Sequence, residues 1–192
     1  MLYVDVISWE TELWGEVQGV LKVTQTAAVL EVLNALFGIV RSPWVTVLMQ
    51  VFSRVWTLWA VMDMAPTAQH SLFFLLACTS WALVEVPRYL FYALSIANAV
   101  PYPLFWLRYS LFAILYPTGI TGELGCMYLS LFELWGKAGG VSDVPMDKLV
   151  LMVLIALVVV TYVPGSPTMY KHMLKTRKKQ FQELKEGGKK RE

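Results

Sequence analysis

Long hydrophobic runs, separated by short polar segments, dominate the pattern of this 192-residue chain. The separators contain residues that favour turns, and they read "RSPW", "DMAPTAQH", "NAVPYP" and "GKAGGVSDVPMDK". A helix needs about 20 largely apolar residues to cross a lipid bilayer. The pattern therefore predicts five membrane-spanning helices, over residues 20–40, 44–64, 71–93, 104–132 and 148–164. We predict an all-α fold, a polytopic transmembrane helix bundle.

The two ends of the chain differ from its centre. Residues 1–18 alternate Trp, Leu and Val with acidic residues, which predicts an amphipathic helix or a short ordered loop at the membrane surface. Residues 166–192 are rich in Lys and Arg. We therefore divide the chain into an interfacial N-terminal segment, a transmembrane domain over residues 19–165 and a basic tail.

Composition supports a membrane protein. The chain is 57% hydrophobic and 16% charged, whereas a soluble domain has roughly 25% charged residues. Cys78 and Cys126 both lie in apolar runs, and their spacing matches no metal-ligand or redox motif. We therefore predict an integral membrane protein in contact with lipid, with no metal site and no nucleic-acid partner.

The basic tail predicts the orientation of the chain. Lys and Arg concentrate on the cytosolic side of membrane proteins, so the C-terminus is expected in the cytosol. Lys189 and Lys190 stand fourth and third from the end, in the sequence "KKRE". This position fits the dilysine signal for retrieval to the endoplasmic reticulum. The alternative is a chance match in a lysine-rich tail.

Six charged residues fall inside the predicted spans, at least four residues from either end. An unpartnered charge costs at least about 2.5 kcal/mol at the bilayer centre. Arg88 and Arg108 lie near the predicted cytosolic ends of their spans. There they either extend to the interface or hold a phosphorylated ligand. Both interpretations stay open at this point. The six residues are Glu31, Arg54, Glu85, Arg88, Arg108 and Glu123.

The run "LYPTGITGE" in the fourth predicted span is unusual for a membrane helix. Its Tyr116 and Glu123 are seven residues apart, about 20° short of two full turns, so both side chains leave the same helix face. Pro117 removes a backbone N–H, and a kink is expected. Gly119 and Gly122 permit close approach of another helix or a ligand. Such a run is tolerated where it lines an internal pocket, although spacing alone equally fits Glu123 as a helix-packing partner of an arginine.

The same run, preceded by "WLRYSLFAILYP", resembles the signature of the membrane 3-hydroxyacyl-CoA dehydratases of very-long-chain fatty-acid elongation. This family is also called protein tyrosine phosphatase-like. The resemblance covers nearly the whole chain from about residue 16, in family order. It extends to "QTAAVLEVLNALFGIVRSPW", "QVFSRVWTLWAV", "SWALVEVPRYLFYALS", "YVPGSPTMYKHML" and "KKRE".

The resemblance implies an enzyme of the endoplasmic reticulum membrane. The implied reaction dehydrates a very-long-chain 3-hydroxyacyl-CoA to the trans-2-enoyl-CoA, the third step of the elongation cycle, with Tyr116 and Glu123 as the catalytic pair. This elimination needs one acid and one base and no cofactor. The implied partners are the acyl-CoA substrate and other elongation enzymes. The alternative is a non-catalytic scaffold of the elongation complex; a small-solute transporter fits less well, because no inverted repeat is visible.

Two departures from the family pattern stand out. Family members usually have six spanning helices, and this chain begins where their second would begin. The phosphatase-like name refers to a degenerate Cys-x5-Arg signature, and here Ala35 replaces the cysteine ahead of Arg41. Without that thiol nucleophile, phosphatase chemistry is excluded.

Overall fold

In a computed structural model of the chain, residues 2–39, 43–136 and 144–189 are described, and in this part of the chain every regular element is a helix. The all-α prediction is confirmed. The elements in chain order are α1 (Leu2–Ala27), α2 (Val29–Leu36), α3 (Trp44–Trp56), a π-helix (Thr57–Met62), α4 (Pro66–Gln69), α5 (Leu72–Ile96), α6 (Tyr102–Ser110), α7 (Phe112–Gly136) and α8 (Met146–Lys189).

Proline and residues with positive φ set several helix ends. Pro43 and Pro101 precede α3 and α6 in extended backbone, and Pro66 is the first residue of α4. Proline suits these positions because it lacks the N–H that a first turn leaves unpaired. Gly38 at φ 71° follows α2 and Asn98 at φ 51° follows α5, a conformation that glycine and asparagine tolerate best.

Within the described ranges, three helices are long and apolar enough to cross a membrane: Trp44–Met62, Leu72–Ile96 and Met146–Glu186. They coincide with the predicted spans 44–64, 71–93 and 148–164. The predicted span 20–40 falls on α1 and α2, and the predicted span 104–132 falls on α6 and α7. The count of five spans stays a prediction, as do the segment boundaries at 18/19 and 165/166, which fall inside the continuous helices α1 and α8.

The helices group into two compact units, and three of the helices contribute residues to both. The first unit contains residues 1–75 and 122–159. Its core is mostly apolar. Fully buried side chains of the π-helix, α5, α7 and α8 include Leu58, Met62, Phe74, Met127 and Ile155. Two contacts show that α1 runs antiparallel to the segment after α3. Lys22 forms an ion pair with Asp63, and four residues further along α1 the Thr26 hydroxyl accepts a hydrogen bond from Trp59 at 3.2 Å.

The second unit contains residues 76–121 and 160–192. Here α8 runs antiparallel to α6 and the start of α7. The ring of Phe105 contacts Phe181 at 5.3 Å, while Tyr116, further along the chain, contacts Tyr170 at 6.1 Å. Among the described residues, the buried apolar side chains of this unit are those of Ala77, Trp81, Leu104 and Met169.

Large apolar side chains also cover much of the surface. On α8 the exposed set includes Val150, Val153, Leu157, Val160 and Val163. A soluble monomer rarely exposes contiguous apolar surface on this scale. The exposed apolar face of α8 is that of a helix in contact with lipid.

Candidate active site

Tyr116 lies in the second turn of α7 and is half-buried. Its hydroxyl donates a hydrogen bond to the main-chain carbonyl of Ser166 at 3.3 Å. Its ring packs beside Tyr170, which also contacts Phe112 at 5.6 Å. The contacts with α8 therefore hold the phenol in a defined position.

The helix continues through Pro117, and hydroxyl side chains surround this position. Thr121 donates to the Pro117 carbonyl at 2.9 Å, and Thr118 donates to the Ile114 carbonyl at 3.1 Å. Thr118 also shares a hydrogen bond of 3.0 Å with Ser80 of α5. Threonine hydroxyls of this kind satisfy backbone carbonyls where a proline disturbs a membrane helix. Hydroxyl groups are therefore concentrated around Pro117 in a mostly apolar stretch of α7.

Gly119 gives α5 its close approach to α7 in the second unit. A Cβ atom at Gly119 would lie 3.5 Å from the Cβ of Ser80, so the two backbones are separated by little more than one side chain. The sequence predicted this role for Gly119 as a small residue. The predicted kink at Pro117 and the predicted pocket stay predictions.

Glu123 is almost completely buried, with 5% of its surface exposed. It belongs to the first unit, where its neighbours on α7 are the buried Gly125, Cys126 and Met127. Its carboxyl group is thus largely shielded from solvent.

Tyr116 and Glu123 both lie on α7, seven residues apart. Helical periodicity places them on the same face with about 10.5 Å of rise between them. A phenol and a buried carboxyl group are an acid and a base. Their joint action as the catalytic pair stays a prediction.

Arg88 and Arg108, the predicted substrate-binding residues, both lie against tyrosines of the second unit. Arg88 donates to the hydroxyl of Tyr89 at 3.0 Å. Arg108 donates to the hydroxyl of Tyr92 at 3.3 Å, and its guanidinium also lies 5.5 Å from the centre of the Tyr109 ring. Its Nε is buried without a hydrogen-bond partner in the described structure. The substrate-binding role stays a prediction.

Arg177 was not among the predicted site residues, since the sequence shows it only as one of many basic residues of the tail. In the structure its Nε donates to the Ser110 hydroxyl at 3.2 Å, and its guanidinium lies 4.8 Å from the centre of the Phe181 ring. The spacing of an arginine and an aromatic four residues apart was the signal that could have identified it.

The predicted retrieval signal lies at the edge of the described chain. Lys190 is outside the described residues, and the structure describes only the backbone of Lys189, at the end of α8. Arg41, in the segment that corresponds to the phosphatase-like signature, also lies outside the described residues. Both assignments rest on the sequence.

Known proteins are similar to this chain over most of its length. The family model of the protein tyrosine phosphatase-like proteins, PTPLA, matches residues 25–183. A very-long-chain (3R)-3-hydroxyacyl-CoA dehydratase of Caenorhabditis elegans is 39% identical over 178 residues, which cover 90% of this chain and 81% of the relative. The dehydratase PASTICCINO 2 of Arabidopsis thaliana is 36% identical over 179 residues, covering 90% and 80% of the two chains.

A third relative, the very-long-chain (3R)-3-hydroxyacyl-CoA dehydratase 2 of Mus musculus, is 37% identical over 87% of this chain and 67% of its own. No solved structure matches the chain. The family model covers far more than half of the sequence, and the relatives exceed 30% identity over most of their length. The chain belongs to the protein tyrosine phosphatase-like family, PTPLA.

Proposed function

We propose that this protein dehydrates a very-long-chain 3-hydroxyacyl-CoA to the trans-2-enoyl-CoA, the third step of fatty-acid elongation. The observation that carries the proposal is the similarity to dehydratases of this name, at 39% identity over 90% of the chain for the Caenorhabditis elegans protein. The half-buried phenol of Tyr116 and the buried carboxyl group of Glu123, both on α7, supply groups of the right chemistry. No observation favours a scaffold without activity.

The reaction removes a proton from C2 and expels the hydroxyl group from C3. The thioester makes the C2 proton acidic, but hydroxide is a poor leaving group unless it is protonated as it departs. Glu123 is proposed as the base that takes the C2 proton. Tyr116 is proposed as the acid that protonates the departing oxygen, so that water is released.

The environments of the two residues suit these roles. The low exposure of Glu123 keeps water from competing for its proton and strengthens its electrostatic interaction with the substrate. The hydrogen bond from Tyr116 to Ser166 holds the phenol in place before the substrate binds. The rise of about 10.5 Å between the two residues requires both side chains to extend along the helix face toward adjacent substrate carbons.

We also propose that the protein works in the endoplasmic reticulum membrane with its C-terminus in the cytosol, beside other fatty-acid elongation enzymes. The basic residues after Tyr170 and the dilysine position of Lys189 and Lys190 support this location. The CoA group would then enter from the cytosolic side, where the basic residues of α8 lie.

The test is conversion of a 3-hydroxyacyl-CoA by purified protein and by two conservative variants. Tyr116→Phe removes one hydroxyl, and Glu123→Gln keeps the shape of the side chain while it abolishes basicity. Loss of a general acid or base typically lowers the rate about 10²–10⁴-fold. Tyr128→Phe is the matched control, because Tyr128 lies on the same helix but is 65% exposed. Purified protein that binds the substrate without converting it would establish the scaffold instead.

A further inference from the structure

A small apolar cavity lies in the second unit, apart from Tyr116. Its volume is about 230 Å³, and it is lined by Phe91, Val100, Tyr102, Phe105 and Leu184. Pockets that enclose a whole drug-sized ligand measure roughly 300–1,000 Å³. The cavity is therefore suited to one ring system rather than to a long acyl chain.

The wall of the cavity belongs to a cluster of aromatic rings centred on Phe105. The Phe105 ring lies 4.9 Å from Tyr109, 5.3 Å from Phe181 and 6.4 Å from Phe91. The interplanar angles lie between 51° and 68°, so the rings pack against one another in tilted and edge-on orientations and not face to face. Aromatic side chains bind nucleobases through their ring faces, with about 1–3 kcal/mol per base.

Two arginines flank this cluster. The guanidinium of Arg177 lies on the ring of Phe181, and that of Arg108 lies beside Tyr109; both rings contact Phe105. Neither arginine forms an ion pair with a carboxylate in the described part of the chain. Arginine presents several N–H donors in a geometry that matches phosphate oxygens. An aromatic cavity with two adjacent arginines is complementary to a phosphorylated nucleoside.

One carboxylate, that of Glu183, precedes the cavity residue Leu184 on α8. Glu183 lies 3.8 Å from Lys179 and accepts a hydrogen bond from Gln180 at 2.8 Å. Its negative charge also acts on Tyr109, beside Arg108. Further lysines on α8 add to the positive potential that attracts a phosphorylated ligand.

The distance from Tyr116 to this surface matches the length of CoA. Ser166, the partner of Tyr116, and Arg177 are eleven residues apart on α8, which is about three full turns and roughly 16 Å of rise on the same helix face. The chain from the sulfur of CoA to its first phosphate has about 13 bonds, the backbone length of about four residues, and reaches roughly 15 Å when extended. A thioester at Tyr116 would thus place its phosphates near Arg177.

We propose that this cavity binds the adenine ring of the CoA thioester, while Arg108 and Arg177 bind its phosphates. The proposal rests on the proposed dehydratase function, because that function supplies the CoA thioester. The proposed substrate site thereby includes Arg177 and the cavity lined by Phe105. These residues bind the nucleotide of the substrate and not its acyl chain.

The first test measures binding of adenosine 3′,5′-bisphosphate, the nucleotide part of CoA, to the purified full chain without any turnover. Arg177→Gln removes a charge-assisted contact worth about 1.5–3 kcal/mol and should weaken binding about 10- to 100-fold. Lys179→Gln removes the same charge from an exposed position on the same helix and should change binding less than threefold, roughly what a screened surface charge contributes. Equal effects of the two variants would overturn the assignment of Arg177.

A second variant tests the cavity itself. Leu184→Trp places a large side chain at a partly exposed wall of the cavity, so it should abolish nucleotide binding without disturbing the buried core. Glycerol 3-phosphate and inorganic phosphate serve as ligands that share the phosphate chemistry of a lipid headgroup. If they compete as strongly as the nucleotide, or if Leu184→Trp leaves nucleotide binding intact, the surface is a general phosphate or lipid site and the proposal is wrong.

Kinetics separate this proposal from the dehydratase function. The kcat/KM ratio for the 3-hydroxyacyl-CoA over the matching pantetheine thioester, which lacks the nucleotide, should fall at least tenfold in Arg177→Gln through a higher KM. An unchanged ratio with normal dehydration would refute the nucleotide site and leave the dehydratase intact. Nucleotide binding by a protein that dehydrates neither thioester would refute the dehydratase and leave the nucleotide site intact.

Discussion

Gly125 is the residue on α7 whose replacement the packing opposes most strongly. A Cβ atom there would lie 2.2 Å from the ring of Phe73, whereas at Gly119 it would meet only the Cβ of Ser80 at 3.5 Å. The first distance demands a shift of a half-buried aromatic ring, whereas the second is an ordinary contact. The two glycines thus have different physical roles within the same helix.

We expect Gly125→Ala to destabilise the protein by about 1–3 kcal/mol, the usual cost of overpacking a core. Gly119→Ala, the control, should be neutral or slightly stabilising, because alanine favours a helix by up to about 1 kcal/mol over glycine. Thermal unfolding of the purified protein in detergent would measure both. The addition of Phe73→Ala should restore much of the stability of Gly125→Ala. Equal stabilities of the two glycine variants would contradict this packing.

At the scale of elements, Lys22 joins α1 to the segment after α3. It pairs with Asp63, and its ammonium lies 5.6 Å from the centre of the Trp14 ring and 5.1 Å from that of Trp59. The side chains of the ion pair are 22% and 31% exposed. Such partial burial makes the loss of one partner costly, since the other charge stays in a poorly solvated place.

Lys22→Met alone should therefore lower the free energy of unfolding by about 1–3 kcal/mol, which is less than the loss expected when a fully buried ion pair is broken. The double variant Lys22→Met/Asp63→Asn should recover part of this loss, because no charge is then left unpaired. Lys179→Met is the control, as its pair with Glu183 is exposed and contributes about 0.5 kcal/mol. Chemical denaturation monitored by tryptophan fluorescence would measure the free energy of unfolding of each variant and so rank their stabilities. A double variant less stable than Lys22→Met would contradict the account.

The sequence predicted the elements better than their contacts. Prolines and apolar runs identified α3, α5 and the apolar part of α8, because these features act locally along the chain. No proline or glycine marks the helix break at Ala28 or the break between α6 and α7. The sequence pattern therefore predicted one continuous helix for each of the first and fourth apolar runs. Helix spacing raised Tyr116 and Glu123 as candidates, the family resemblance favoured them, and their catalytic role stays a prediction. The contact of Arg177 with Ser110 depends on how α8 packs against α6, which residue spacing within one run does not encode.

For the whole molecule, the basic end of α8 determines the expected orientation. With the C-terminus in the cytosol, protease treatment of sealed microsomes should remove a C-terminal epitope tag. An epitope tag on a lumenal protein of the same microsomes is the control for membrane integrity. Protection of the C-terminal tag equal to that of the lumenal control would reverse the proposed topology.

The dilysine position gives a separate prediction about localisation. Replacement of Lys189 and Lys190 by serine should move part of the protein to later secretory compartments, since the retrieval receptor reads those two lysines. Replacement of Lys178 and Lys179 by serine removes the same charge elsewhere on α8 and should leave localisation unchanged. Fluorescence microscopy with compartment markers distinguishes them. Identical distributions of the two double variants would mean that the position of the lysines is not the signal.

The central claim is that Tyr116 and Glu123 act together in one elimination. Its most direct test is the initial rate of enoyl-CoA formation by purified wild-type protein, Tyr116→Phe, Glu123→Gln and the double variant, at matched protein concentrations. Residues that act in one transition state give non-additive losses, so the double variant should be little slower than the slower single variant, about 10²–10⁴-fold below wild type. Near-normal rates in either single variant, or losses that multiply in the double variant, would contradict the account.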